Sequence, residues 1–300
     1  MHLRIEHLSK TYPGGIRALD DISLTIPRGM FGLLGPNGAG KSTLMRILAT
    51  LQEADAGAAT LEPAAEGERA IDILNDKDGV RRTLGYLPQE FGLYPKVTAE
   101  EMLDHFAILK GITAKPERRA IVHALFEQTN LSAARERKLG TFSGGMRQRF
   151  GIAVALLGNP RLIIVDEPTA GLDPTERVRF LNLLSALGET SVVILSTHIV
   201  EDVSELCSHM AIIDKGRIKL ETEPLSAIEA LQGRIWRRVV ERAQLPEYQQ
   251  RHAVVSTKLL AGRTVVRVYA DSRPDDGFEP SEASLEDVYF AAMHLPVPVA

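Results

Sequence analysis

The residues Gly35, Pro36, Asn37, Gly38, Ala39, Gly40, Lys41, Ser42 and Thr43 follow the spacing G-x-x-x-x-G-K-[ST], and that spacing makes a cradle for phosphate. Glycines let the backbone bend so that successive N–H groups point inward, and a helix starting behind them adds partial positive charge. Lys41 has the reach and charge for β- and γ-phosphates, and the Ser42 hydroxyl is a ligand for Mg²⁺. A glycine turn that merely capped a helix would have no need of Lys-Ser at this point.

A second group of residues suits the same chemistry. Asp166 and Glu167 end the apolar run Leu162-Ile163-Ile164-Val165, the end at which ligands bind in α/β sheets. Asp166 suits Mg²⁺, and Glu167 suits the polarising of an attacking water. His198 closes the next apolar run, and Gln89 closes Gly85-Tyr86-Leu87-Pro88. At those positions an imidazole reaches a γ-phosphate and an amide senses Mg²⁺ or water. Tyr12, in Thr11-Tyr12-Pro13-Gly14-Gly15, either stacks on adenine or is a surface aromatic. Ser143, Gly144 and Gly145 open a helix, first as an N-cap and its glycines, second as another phosphate-binding surface. One nucleotide has no evident need of both surfaces from one subunit, and a two-fold dimer resolves this by giving each helix end to the partner's nucleotide. Asp173, with Pro174 and Glu176, reads as an N-cap, N1 and acidic N3.

The elements that must hold these residues follow from periodicity. Leu3–Leu8 and Ile22–Ile26 alternate as half-buried strands, and Met30–Leu34 is a buried strand entering the glycine loop. The helix leaving that loop covers Ser42–Leu48. Residues 61–90 mix short strands with turns, and 97–157 carry helical spacing. Leu162–Val165 and Val192–Leu195 read as parallel strands covered on both faces, joined by a helix over 175–187. Ala211–Asp214 and Arg217–Leu220 read as a hairpin around Lys215-Gly216. A boundary is expected at 222–226. Beyond it come strands at Trp236–Val240 and Thr264–Tyr269 and a last helix over Leu285–Met293.

The 300 residues suit about two domains, and the net charge of −4 gives no general attraction to nucleic acid. The one cysteine, Cys207, excludes an internal disulfide and reads as a core thiol. No run long enough to span a membrane occurs.

On these residues the chain closely resembles the nucleotide-binding subunit of ATP-binding cassette (ABC) transporters over about residues 1–225. Phe142-Ser143-Gly144-Gly145-Met146 is similar to the family's signature motif, with Phe142 and Met146 in place of the commoner Leu and Gln. The resemblance implies an α/β fold: a P-loop ATPase core with an antiparallel β layer, a helical subdomain inserted at about 90–157, and a small C-terminal α/β extension over 226–300. It implies a head-to-tail homodimer that sandwiches two ATP molecules with Mg²⁺. Gly35 to Thr43 would bind phosphates, Gln89 would be the Q-loop residue and Asp166 the Mg²⁺ carboxylate. Glu167 would be the catalytic base, His198 the switch histidine and Tyr12 the adenine-stacking aromatic. Ser143, Gly144 and Gly145 would contact the partner's γ-phosphate, and Asp173 would belong to the D-loop. Ser284–Phe290 is similar to the tail of bacterial exporter ATPases whose permease is a separate polypeptide. The implied protein is cytoplasmic and peripheral on the inner face of the cell membrane, with Glu90–Pro95 as a permease contact through Phe91 and Tyr94. The competing class is a soluble cassette ATPase acting on ribosomes or DNA; the single cassette and lack of a basic tail or sustained heptads speak against it.

Overall fold

The computed structural model describes residues 1–63, 69–89, 92–169 and 172–295. Its centre is a six-stranded sheet built around β3 (Gly29–Leu34), β6 (Leu84–Leu87), β7 (Leu162–Asp166), β8 (Val192–Thr197), β9 (His209–Asp214) and β10 (Arg217–Thr222), in the order β10-β9-β3-β8-β7-β6. All pairings are parallel except the β9–β10 hairpin. That hairpin turns on Lys215 and Gly216, both at positive φ, the geometry that matches strand twist.

The apolar runs of the central strands divide by parity between two cores, because successive side chains leave opposite faces. Phe31, Leu33, Leu162, Ile164, Val192, Ile194, Ala211 and Ile213 face one side. They meet α1 (Lys41–Leu48) and a four-stranded antiparallel sheet of β1 (His2–Tyr12), β2 (Ile16–Pro27), β4 (Ala56–Glu62) and β5 (Ile71–Asp72), ordered β2-β1-β4-β5. Met30, Leu34, Ile163, Val165, Val193, Leu195, Met210 and Ile212 face the other side, against α6 (Pro174–Gly188) and α7 (Val200–Leu206). Cys207 is buried there, and burial pushes its thiol pKa upward.

A separate helical core is formed by α3 (Ala99–Leu109), α4 (Lys115–Gln128) and α5 (Gly144–Ala155). The short α2 (Lys77–Thr83) leads into β6. Thr98 and Glu101 close a capping box on α3, and Arg118 ties α4 to Asp104 of α3 at 2.6 Å. Phe142 is buried in this core, edge-on to Phe150 with ring centroids 6.2 Å apart. The aromatic at the head of the Ser-Gly-Gly segment is therefore packing, not exposed chemistry.

The C-terminal residues form α8 (Pro224–Leu231), α9 (Leu245–Arg251), α10 (Leu285–His294) and an antiparallel sheet. The sheet strands are β11 (Ile235–Val240), β12 (Ala253–Leu260), β13 (Arg263–Tyr269) and β14 (Glu279–Pro280), ordered β12-β13-β11-β14. α8, α9, β12 and β14 are absent from the sequence expectation. Helices α8 and α10 pack back on the second core through Ala227, Leu231, Leu285, Val288 and Ala291. No helix among the described residues is long and apolar enough to cross a membrane.

Candidate active site

The glycine loop links the end of β3 to α1, and its shape depends on close backbone approaches. A Cβ at Gly35 would lie 2.3 Å from the Ile213 carbonyl, and one at Gly40 would lie 2.4 Å from the Ala18 carbonyl. Gly40 also has φ +112°, a conformation L side chains rarely adopt. No side chain caps α1, so its first N–H groups are left for a ligand. Lys41 folds back into the loop: its Nζ donates to the Gly35 carbonyl at 2.6 Å and to that of Pro36 at 3.3 Å.

Four separate segments line one cleft of about 380 Å³ with this loop. Pro36 through Thr43 form its floor, and Tyr12, Gln89, Glu167 and His198 stand around it. Glu167 joins the two sides. One carboxylate oxygen lies 3.8 Å from Lys41 Nζ and the other 2.6 Å from His198 Nδ1. Its backbone is held at φ +49° and its N–H donates to the Ser196 carbonyl at 2.8 Å. A left-handed non-glycine residue persists only where its surroundings over-determine it.

Asp166 is buried at the end of β7, beside Ser196 of β8, and its Oδ1 has no hydrogen-bond partner. An orphaned buried carboxylate oxygen near a free serine hydroxyl suits a hard cation. Among the described residues no cluster of three or more acidic, His or Cys side chains could hold a metal alone. Mg²⁺ is bound by one or two carboxylates together with phosphate oxygens and water, and the Asp166 carboxylate suits that role. Burial lowers the Lys41 pKa, while the charges of Glu167 and then Asp166 raise it. Burial, followed by the Asp166 charge, raises the phenol of Tyr86 on the neighbouring strand.

Ser143, Gly144, Gly145 and Asp173 do not line this cleft. They gather elsewhere: Ser143 caps α5 by accepting from Met146 N, and Asp173 caps α6 by accepting from Glu176 N. The two helix ends adjoin, since a Cβ on Gly145 would meet Glu176 Oε2 at 2.6 Å. Glu176 stands at N3 of α6 as read from sequence, and its side chain also pairs with Arg149 of α5 and with Arg179. Arg149 carries no sequence signal for this role. Nor does Gln52, which accepts from the Tyr12 hydroxyl at 2.9 Å while Thr43 lies 3.2 Å from it. Those bonds fix the Tyr12 ring at the rim of the cleft. Phe91, Ala170 and Gly171 lie outside the described residues. Tyr94 is 67% exposed. A separate apolar groove of about 310 Å³ is lined by Leu51, Leu84, Tyr86, Phe106, Leu109 and Leu157.

The family model described as ABC transporter matches residues 19–170, which include the glycine loop, the Ser-Gly-Gly helix and the carboxylate strand. This chain belongs to the ABC transporter family. The chain accordingly binds ATP. The uncharacterized ABC transporter ATP-binding protein YxlF of Bacillus subtilis is 32% identical over 317 aligned residues, covering 97% of this chain and 99% of YxlF. The probable multidrug ABC transporter ATP-binding protein YbhF of Escherichia coli is 31% identical over 287 residues. That match covers 91% of this chain and 47% of YbhF, so the chain spans about half of that relative. Among solved structures, the dimeric post-hydrolysis state of the ATP-binding cassette MJ0796 bound to ADP and Pi superposes with TM-score 0.65 at 27% identity. It covers 74% of this chain and 98% of MJ0796.

Proposed function

We propose that this chain is the ATP-hydrolysing subunit of an ABC exporter whose permease is a separate membrane polypeptide. The observation that carries the reading is Glu167, poised between the phosphate-loop lysine and His198 at 3.8 and 2.6 Å. A carboxylate so placed can take a proton from water at the γ-phosphate. His198 orients Glu167 and faces the same phosphate, Gln89 stands at the cleft edge, and Tyr12 offers its ring to adenine. Ser42 and Asp166 are the residues that would hold Mg²⁺, and the ion would supply charge neutralisation at the β- and γ-oxygens.

The Ser143-Gly144-Gly145 helix end lies outside the cleft, which favours a head-to-tail homodimer in which it meets the partner's γ-phosphate beside the Asp173 segment. That the similar MJ0796 cassette is dimeric with ADP and Pi supports pairing of two copies. Closing on ATP and reopening after hydrolysis would drive the permease between states. The apolar groove lined by Leu51, Phe106 and Leu109 suits a permease helix, with Leu51 and Leu109 largely exposed. That docking would put the chain on the inner face of the cell membrane. The name of YbhF, a multidrug transporter component, supports export as the direction.

Light scattering on Glu167→Gln, with and without Mg-ATP, tests the reading. Blocked hydrolysis with a monomer-to-dimer shift that requires ATP is the expected result. Unchanged ATP turnover in this variant would remove Glu167 from the role of base.

A further inference from the structure

Behind the cleft, one carboxylate joins three segments that the nucleotide site depends on. Asp202 of α7 is wholly buried. Its Oδ2 accepts the hydroxyl of Thr169, itself buried, two residues after Glu167. Its Oδ1 accepts from Arg177 Nε of α6 at 2.8 Å, with Arg177 Nη2 at 2.6 Å from the same oxygen. Asp202 is also four residues beyond His198, on the helix that His198 introduces. None of these three residues lines the ATP cleft.

We infer that Asp202 is a positioning residue that holds Glu167 against His198. Glu167 keeps a left-handed backbone, φ +49°, that its own residue type does not favour. Its N–H is held by the Ser196 carbonyl on one side. On the other side the chain is pinned at Thr169, and the pin is the buried carboxylate. The same carboxylate fixes α7, and Thr197 Oγ1 holds the turn into α7 by accepting from Ile199 N at 3.0 Å. The Glu167 and His198 side chains thus reach each other from two segments locked together at their backs. Arg177 completes the lock by supplying the positive charge a buried carboxylate requires. It also anchors α6 one turn beyond its cap Asp173.

The inference rests on Glu167 acting as the base, so its test needs an arm that does not. The variants are Thr169→Val, which keeps shape and loses the hydroxyl, and Thr169→Ser, which keeps the hydroxyl. In the full-length chain, Thr169→Val should lower kcat for ATP about 10- to 100-fold, as a misplaced catalytic group does. Its affinity for ATP and its melting temperature should stay near wild type, and Thr169→Ser should recover kcat. The second arm is the His198 imidazole NMR resonance of the nucleotide-free protein, assigned by its loss in His198→Ala. It should move in Thr169→Val and return in Thr169→Ser. An unmoved resonance overturns the inference, whether kcat is unchanged or falls only together with melting temperature and ATP affinity. A wild-type chain that fails to turn over ATP counts against the proposed function, and the resonance still decides the positioning role.

Discussion

At the scale of single residues, Lys41 is held where its charge is least well solvated. Burial keeps its pKa below the ordinary lysine value, and Glu167 and then Asp166 restore part of that loss. The ammonium is occupied by the Gly35 and Pro36 carbonyls, groups that ATP phosphates would outcompete. Linkage fixes the sign of the consequence. A folded pKa below the unfolded one is a penalty on folding, fully present below the folded pKa and relieved as pH rises through it towards the unfolded value. Lys41→Met keeps the stem and drops the charge. Without nucleotide it should melt no lower than wild type at neutral pH, and wild type should gain on it as pH rises towards the lysine range. Its ATP affinity should fall by about 1.5–3 kcal/mol, roughly 10- to 150-fold, the worth of hydrogen bonds to a charged group. Melting curves across pH and an equilibrium ATP titration check the two halves. A variant that melts well below wild type at neutral pH would mean that the ammonium's bonds to the loop carbonyls outweigh its burial.

At the scale of elements, α10 is tied to β13 of the C-terminal sheet by a buried carboxylate. Asp287, fully buried, receives Arg267 of β13 on both oxygens at 2.7 and 2.6 Å and closes a capping box with Ser284. Removing one member of a buried pair strands the other, at about 3–5 kcal/mol. Asp287→Ala should lower the urea midpoint accordingly. Glu286→Ala, one residue away and paired with Lys258 at the surface, should cost only about 0–1 kcal/mol. Equal effects of the two would refute the special role of Asp287. Element by element, what sequence could show follows burial. β3, β7 and β8 are apolar on both faces and stand out from any neighbour. β1 and β2 run to Tyr12 and from Ile16, well beyond the alternating stretches, because register shifts between Ile5 and Lys10 break the period. β4 begins Ala-Gly-Ala-Ala, residues with little strand character, and is held by pairing with β1. β12 is half exposed, so Lys258, Leu259 and Leu260 carry no inward pattern. In the site the logic is similar. Glycines, lysine and carboxylates announce phosphate chemistry by type and spacing. Gln52, Thr169, Asp202 and the Arg149–Glu176 pair act across the fold, and one strand or helix alone carries no trace of the partner.

At the scale of the whole molecule, α8 and α10 belong to the second core of the central sheet, while the C-terminal sheet keeps a small core of its own around Val240, Val266, Val268 and Phe278. Leu231, Leu285 and Val288 are buried in the same cluster as Phe180, Leu184, Val193 and Met210. Burying each such side chain is worth about 1.5–3 kcal/mol, against a total stability of about 5–15 kcal/mol for a typical domain. A chain cut after Thr222 loses all three and uncovers the face they cover. It should be poorly soluble, run as aggregate on size exclusion and bind ATP weakly, for reasons unconnected with regulation. The milder Leu285→Ala should cost about 2–5 kcal/mol and leave ATP affinity near wild type wherever the protein is folded. The far end of the tail gives the contrast. Leu259 and Leu260 at the β12–β13 turn are 76% and 65% exposed. Leu259→Ser with Leu260→Ser should shift stability by no more than about 0.5 kcal/mol each. A contribution of the tail to dimerisation must act through such exposed residues. It would appear as loss of the proposed ATP-dependent dimer in this double variant at unchanged melting temperature. A soluble, ATP-binding fragment ending at Thr222 would instead mean that the second core closes without α8 and α10.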